Sequence, residues 1–93
     1  MINSEMQAAI DFCCEMNKER VRAKIKHPSN KNLIPALMEE VGELANALLE
    51  LENNADPVYV YHEAVQVATL AMRIALGEVP ECGYKFNDIK EKL

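Results

Sequence analysis

Residues 57–76 read PVYVYHEAVQVATLAMRIAL, and this stretch decides the fold. On a 100°-per-residue wheel, His62, Glu63, Gln66, Thr69 and Arg73 fall within an arc of about 120°. Nearly everything else is apolar: Val58, Val60, Ala64, Val65, Val67, Ala68, Leu70, Ala71, Met72, Ile74, Ala75 and Leu76. A membrane-spanning helix would not carry Glu63, Gln66 and Arg73 within three turns. The segment therefore reads as the central helix of a bundle, packed on most sides, with a polar stripe facing something polar. Two partner helices from one chain do not cover such a surface, so a homodimer or homotetramer is expected.

Working outward, Asp56-Pro57 starts this helix, with an aspartate cap and proline in the first helical position. Gly77, with Pro80 three residues on, stops it. A second helix precedes it, from about Leu33 to Glu52, with Pro35 tolerable in its first turn and Asn53-Asn54 at its end. His27-Pro28-Ser29-Asn30-Lys31-Asn32 is a loop by composition. A first helix runs from Ser4 to Lys26, with Met6, Ile10, Cys13 and Met16 on one face. Past Lys18 the apolar residues Val21, Ala23 and Ile25 alternate in a strand-like way, but a lone strand would have nothing to pair with. Tyr84 to Leu93 is polar and holds one or two helical turns. The expectation is an all-α, helical hairpin-based bundle of three main helices plus a short C-terminal segment, one domain over residues 1–93, completed by oligomerisation.

Composition narrows the function. Ninety-three residues allow one domain, and 49 % hydrophobic with 27 % charged residues suits a soluble globule rather than a disordered tail. A chain this short buries only about 60–65 % of its unfolded surface, a further reason to associate. The net charge of −5 argues against nucleic acid as a partner. Three cysteines without zinc-ligand spacing make neither a disulfide framework nor a metal knuckle, which points to a reduced, cytoplasmic protein. The first sixteen residues lack a basic start followed by a clean apolar run, so no signal peptide is expected, and no membrane partner.

Charge is segregated along the chain. Between Asn32 and Met72 there is no lysine or arginine, while Glu39, Glu40, Glu43, Glu50, Glu52, Asp56 and Glu63 all lie there. A solvated helix face usually mixes signs, and like charges three or four apart repel. On the second helix the apolar stripe is Leu37, Val41, Leu44, Leu48 and Leu51. Glu40 lies at its edge, with Glu43 and Glu39 progressively further round. If the second and third helices form an antiparallel hairpin, Glu40 and Glu43 meet Glu63 and Gln66. Three carboxylates and an amide oxygen suit a hard divalent cation such as Mg²⁺. The plain alternative is a solvated acidic surface.

The run Glu39-Glu40-Val41-Gly42-Glu43-Leu44 resembles the EExxE motif of the MazG-like nucleoside triphosphate pyrophosphohydrolases, an all-α superfamily. In that family an ExxD motif follows on the next helix. Here Glu63-Ala64-Val65-Gln66 stands in its place, after 19 intervening residues. The resemblance covers Leu33 to Leu76 and extends loosely to Lys18–Lys26. One position departs: Gln66 replaces the family's metal-ligating aspartate, leaving an oxygen but no charge. Glu63-Ala64-Val65-Gln66-Val67-Ala68 nevertheless looks like phage-type MazG-like sequences.

The resemblance implies Mg²⁺-dependent cleavage of a (deoxy)nucleoside triphosphate between its α and β phosphates, with Mn²⁺ a substitute metal, in nucleotide-pool housekeeping. It implies Glu40, Glu43 and Glu63 as metal ligands, Gln66 as a weak fourth, and Glu39 as the residue that positions or deprotonates the attacking water. Two other readings stand beside it. One is a non-catalytic nucleotide-binding or protein-interaction module on the same scaffold. The other is a phosphoribosyl-ATP pyrophosphohydrolase, a branch that Gln66-Val67-Ala68-Thr69 does not resemble.

Other residues carry two readings each. Arg73, two turns beyond Gln66, holds a phosphate or forms a structural ion pair. Lys24 and Lys26 belong to a basic run that reaches the β and γ phosphates, although its two-residue spacing leaves most of it in solvent. His62 is a metal-ligand candidate or a solvated residue. Gly42 points to close helix packing, and Tyr59, Tyr61, Tyr84, Phe12 and Phe86 are candidates to stack on a base. Cys13 and Cys14 read as core or near-core thiols.

Overall fold

The computed structural model describes residues 1–27 and 32–76. They form three α-helices, with no strand among the described residues. Helix α1 is Ser4–Lys26, α2 is Leu33–Leu51 and α3 is Val58–Ala75, within a residue of the expected limits. The expected stop at Gly77 and Pro80 and the segment from Tyr84 to Leu93 lie outside the described residues. No described helix is long and apolar enough to cross a membrane.

Local chemistry explains each helix. Asn3 caps α1, its side-chain oxygen accepting from the Met6 N–H at 2.8 Å. The strand-like alternation after Lys18 does not break α1, because pairs three residues apart hold it. Lys18 reaches Glu15 at 3.3 Å, Arg20 reaches Asn17 at 3.0 and 3.1 Å, and Arg22 reaches Glu19 at 2.6 and 2.9 Å. Asn54, in the left-handed region at φ 66°, ends α2, and the Ala55 N–H donates back to the Glu50 carbonyl at 3.1 Å. Asp56 starts α3 by accepting from the Val58 N–H at 2.9 Å.

Helix α3 is central and packs on both neighbours. It runs antiparallel to α2, with Glu63 beside Glu40 and Glu43. It runs in the same sense as α1. The Phe12 and Tyr61 rings meet edge to face at 5.6 Å near one end, and Arg73 meets the His27 carbonyl at the other. The polar stripe of α3 does face polar groups. The Thr69 hydroxyl donates to its own helix at the Val65 carbonyl (2.7 Å) and lies 3.4 Å from the Met16 carbonyl of α1.

Four expectations need correction. Helix α1 does not dock through Met6, Ile10 and Cys13, which are exposed; it uses Phe12, Met16, Glu19 and Ala23, spaced on one narrow face. Cys13 and Cys14 are accordingly exposed rather than in or near the core. On α2, Val41 and Leu48 face outward, and the inward stripe is Leu33, Ala36, Leu37, Glu40, Leu44, Ala47 and Leu51. Glu40 thus sits in the middle of that stripe rather than at its edge.

The core is thin. Among the described residues only Ala47, Val65, Thr69 and Arg73 are buried, while Ile34 (74 %), Met38 (69 %) and Leu49 (60 %) stay largely exposed along the outer side of α2. Gly42 lies on that outer side, and nothing comes within 4 Å of where its Cβ would be. Among the described residues no helix packs there, so they do not show the close packing expected at Gly42. Gly42→Ala should therefore stabilise the dilute chain by up to about 1 kcal/mol in urea unfolding, the usual helix-interior difference. A loss of stability would mean that Gly42 is in close contact.

A candidate metal centre between two clefts

Helix α2 presents Glu40 and Glu43 three residues apart, and α3 brings Glu63 across to them. One carboxylate oxygen from each lies within 4.8 Å of the other two. Glu40 Oε2 and Glu63 Oε2 are shut off from solvent and accept no hydrogen bond. Unit charges about 5 Å apart repel by roughly 3 kcal/mol at an effective dielectric near 20, more than an ordinary hydrogen bond returns. Such a cluster favours a divalent cation or a retained proton. Oxygen-only donors of this charge fit Mg²⁺ or Mn²⁺.

The electrostatics show the strain at one residue. Burial pushes the Glu40 carboxyl up, and the charges of Glu43, Glu63 and Glu39 push the same way. Glu39 is exposed and lines both clefts that flank the cluster.

The first cleft, about 520 Å³, lies between α1 and the hairpin. Glu40 and Gln66 line it, with Lys26, His27 and Arg73 as its basic residues. The second, about 550 Å³, opens on the other side of the cluster and is lined by Glu43, Glu63, Asn46, Glu50 and Tyr59. Both volumes fall in the range of small-molecule sites.

Each anticipated residue can now be placed. Glu40, Glu43 and Glu63 come together. Gln66 shares the first cleft with Glu40 and Glu19. Arg73 is 5 % exposed, lines the same cleft and donates to the His27 carbonyl at 2.9 Å, so it serves the α1–α3 contact as well as facing the cleft. Lys26 lines the cleft. Lys24 does not: the cleft takes Glu19, Ala23, Lys26 and His27 from α1, and Lys24 is 100° round the helix from Ala23. His62 is exposed and stands near Glu19. Of the aromatic residues, Tyr59 lines the second cleft.

Glu19 was not anticipated. It lies on the docking face of α1, three residues after Met16 and four before Ala23. Burial works to raise its carboxyl. Hydrogen bonds from Arg22 and Gln66, with the charges of Arg22 and His62, outweigh that and hold it below the usual range. Registering the α1 face on Phe12 instead of Met6 would have exposed an acid on an inward face.

Comparison with known proteins finds no matching family model, no matching curated protein and no matching solved structure.

The Glu40 shift fixes a pH dependence for the chain in the presence of a chelator. Its folded value lies above the ordinary 4.5, so its contribution to stability is full below that pH and is lost as pH rises through the folded value. Glu40→Gln should raise Tm by a few degrees at pH 7, and the gain should shrink toward pH 4. Thermal melts of both proteins across this range provide the check. A gain independent of pH would show that Glu40 carries no such shift.

Proposed function

We propose that this chain is a Mg²⁺-dependent nucleoside triphosphate pyrophosphohydrolase of the MazG-like kind, converting a (d)NTP and water to a (d)NMP and pyrophosphate. The observation that carries the reading is the meeting of Glu40, Glu43 and Glu63 with two of their oxygens buried and unpartnered, at the edge of a cleft holding basic residues. The EExxE and ExxQ runs supply exactly these positions in order, which a chance acidic surface would not.

The residues divide the work. Glu40, Glu43 and Glu63, with the Gln66 side-chain oxygen, would hold the metal. Mg²⁺ bound there supplies charge neutralisation for the phosphates and a more acidic water. Lys26 and Arg73 offer cations to the phosphates within the first cleft, where repulsion from the acids would otherwise exclude a polyanion. Glu39, at the junction of the clefts, accepts the proton of the attacking water. The outer stripe of α2, Ile34, Met38, Val41, Leu48 and Leu49, is covered by a second copy of the chain, giving a homodimer or homotetramer. The setting is the cytoplasm, and the role is housekeeping of the nucleotide pool.

Pyrophosphate release from a panel of common and damaged NTPs and dNTPs, with Mg²⁺ and then Mn²⁺, tests the activity. At least one substrate should give monophosphate plus pyrophosphate, and Glu43→Gln should cut its turnover at least ~100-fold, the scale of a lost metal-site interaction. Unchanged hydrolysis in Glu43→Gln would remove the site. Silence across the panel from folded, metal-loaded protein would favour a module that binds and does not cut. For the assembly, sedimentation should give a dimer or larger species, and Met38→Lys should shift it toward monomer. A monomeric wild type would refute the covering copy.

A further inference from the structure

The two clefts meet at one cluster but differ in charge. Lys26, His27 and Arg73 line the first, whereas among the described residues no lysine, arginine or histidine lines the second. Glu43 and Glu63 belong to both the cluster and the second cleft. A triphosphate bound at the cluster does not run its anionic end along further carboxylates, because like charges repel. Its phosphates lie toward the first cleft, which leaves the uncharged nucleoside for the second. The second cleft has the length for it. Glu50 follows Glu43 by seven residues, so at the helical rise it lies about 10 Å along α2 from the cluster. Tyr59 precedes Glu63 by four residues on the antiparallel helix, about 6 Å along in the same direction. Tyr59 is 60 % exposed, an aromatic side chain left open at the cleft, and the small residues Ala47 and Ala55 line the space beside it. The turn after α2 fixes the far end, where the Glu50 carbonyl accepts from the Asn53 and Ala55 N–H groups at 3.0 and 3.1 Å. That sequence of metal centre, aromatic ring and terminal carboxylate spans a nucleoside from its 5′ oxygen to the far edge of its base.

The lining also bears on which base fits. A carboxylate only accepts hydrogen bonds, while an amide such as Asn46, one turn before Glu50, both donates and accepts. Adenine, cytosine and guanine carry an exocyclic amino group that donates. Uracil, hypoxanthine and xanthine carry a carbonyl oxygen in its place, an acceptor that a carboxylate repels. We infer that the second cleft is the nucleoside subsite and that it selects triphosphates whose base bears an exocyclic amino group. Tyr59 stacks on the base, and Glu50 accepts from the amine, with Asn46 able to pair with a neighbouring acceptor. This rests on the pyrophosphohydrolase reading and adds a substrate class to it.

Pyrophosphate release by the full chain, with substrates compared in pairs that differ at this one group, provides the test: CTP with UTP, ATP with ITP, and GTP with XTP. For the pair used best, kcat/KM should favour the amino-bearing member by about tenfold or more, the scale of one good base contact. Glu50→Gln introduces a donor where only acceptors stood and should bring that ratio close to unity. Tyr59→Ala should raise KM about tenfold for both members with kcat little changed, and Tyr59→Phe should restore it. Both residues are exposed, so circular dichroism should show all three variants folded. A wild-type preference below about threefold would overturn the inference, as would a preference that survives Glu50→Gln or a KM that ignores Tyr59→Ala. Hydrolysis without base preference leaves the enzyme reading standing and removes only the subsite. If no triphosphate is cut, calorimetry of CMP against UMP and of AMP against IMP on the Mn²⁺-loaded chain separates the two levels. Tighter binding of the amino-bearing monophosphate, lost in Glu50→Gln, keeps the subsite without the hydrolase; equal or absent binding removes both.

Discussion

Helix α3 buries a threonine and an arginine more deeply than any of its leucines or isoleucines. That inversion governs the rest of the structure. A buried hydroxyl or guanidinium must find acceptors, and those acceptors fix where the neighbouring helix lies. Thr69 and Arg73 address the backbone carbonyls of Met16 and His27. Helix α1, which buries no residue fully, is thus registered on α3 largely by polar contacts along one line. Hydrophobic packing alone, being non-directional, would not choose that register.

The same helix faces the other way with a different chemistry. Against α2 it offers Glu63, and α2 answers with two more acids. Three carboxylates at this distance oppose the packing of the hairpin that carries them, and the raised Glu40 carboxyl is the visible sign. A functional site can hold such a liability when a ligand relieves it. Stability and ligand affinity are then linked through the same three side chains. Among the described residues, the thin core and the apolar outer side of α2 stand near the lower limit of what a small domain can bury alone.

Much of this was legible in the residues. The three helices follow from periodicity, from Asp56-Pro57 and from the asparagines that end α2, because helix start and stop chemistry is local. The carboxylate group followed from spacing alone: residues three or four apart share a helix face, and a short connection forces the next helix back alongside. The errors fell where a helix has no dominant stripe. Helix α1 carries apolar residues all round, so Met6, Ile10 and Cys13 looked as good an inner face as Phe12 and Met16. Choosing the wrong face hid Glu19 and misplaced both cysteines. On α2, Val41 and Leu48 were read inward because both sides of that helix are apolar.

The sequence by itself determined the helical class, the positions of the helix ends, and the set of acids able to meet, since these depend on neighbours within about one turn or on a short connection. Only the tertiary structure decided which face of α1 meets α3, that Glu40 lies in the middle of the inward stripe, that Arg73 is buried against a backbone carbonyl, and that Glu19 and Gln66 line one cleft. Those facts depend on the rotation of one helix about its own axis against another. That rotation is set by a few directional contacts between residues some fifty positions apart, and no local pattern encodes it.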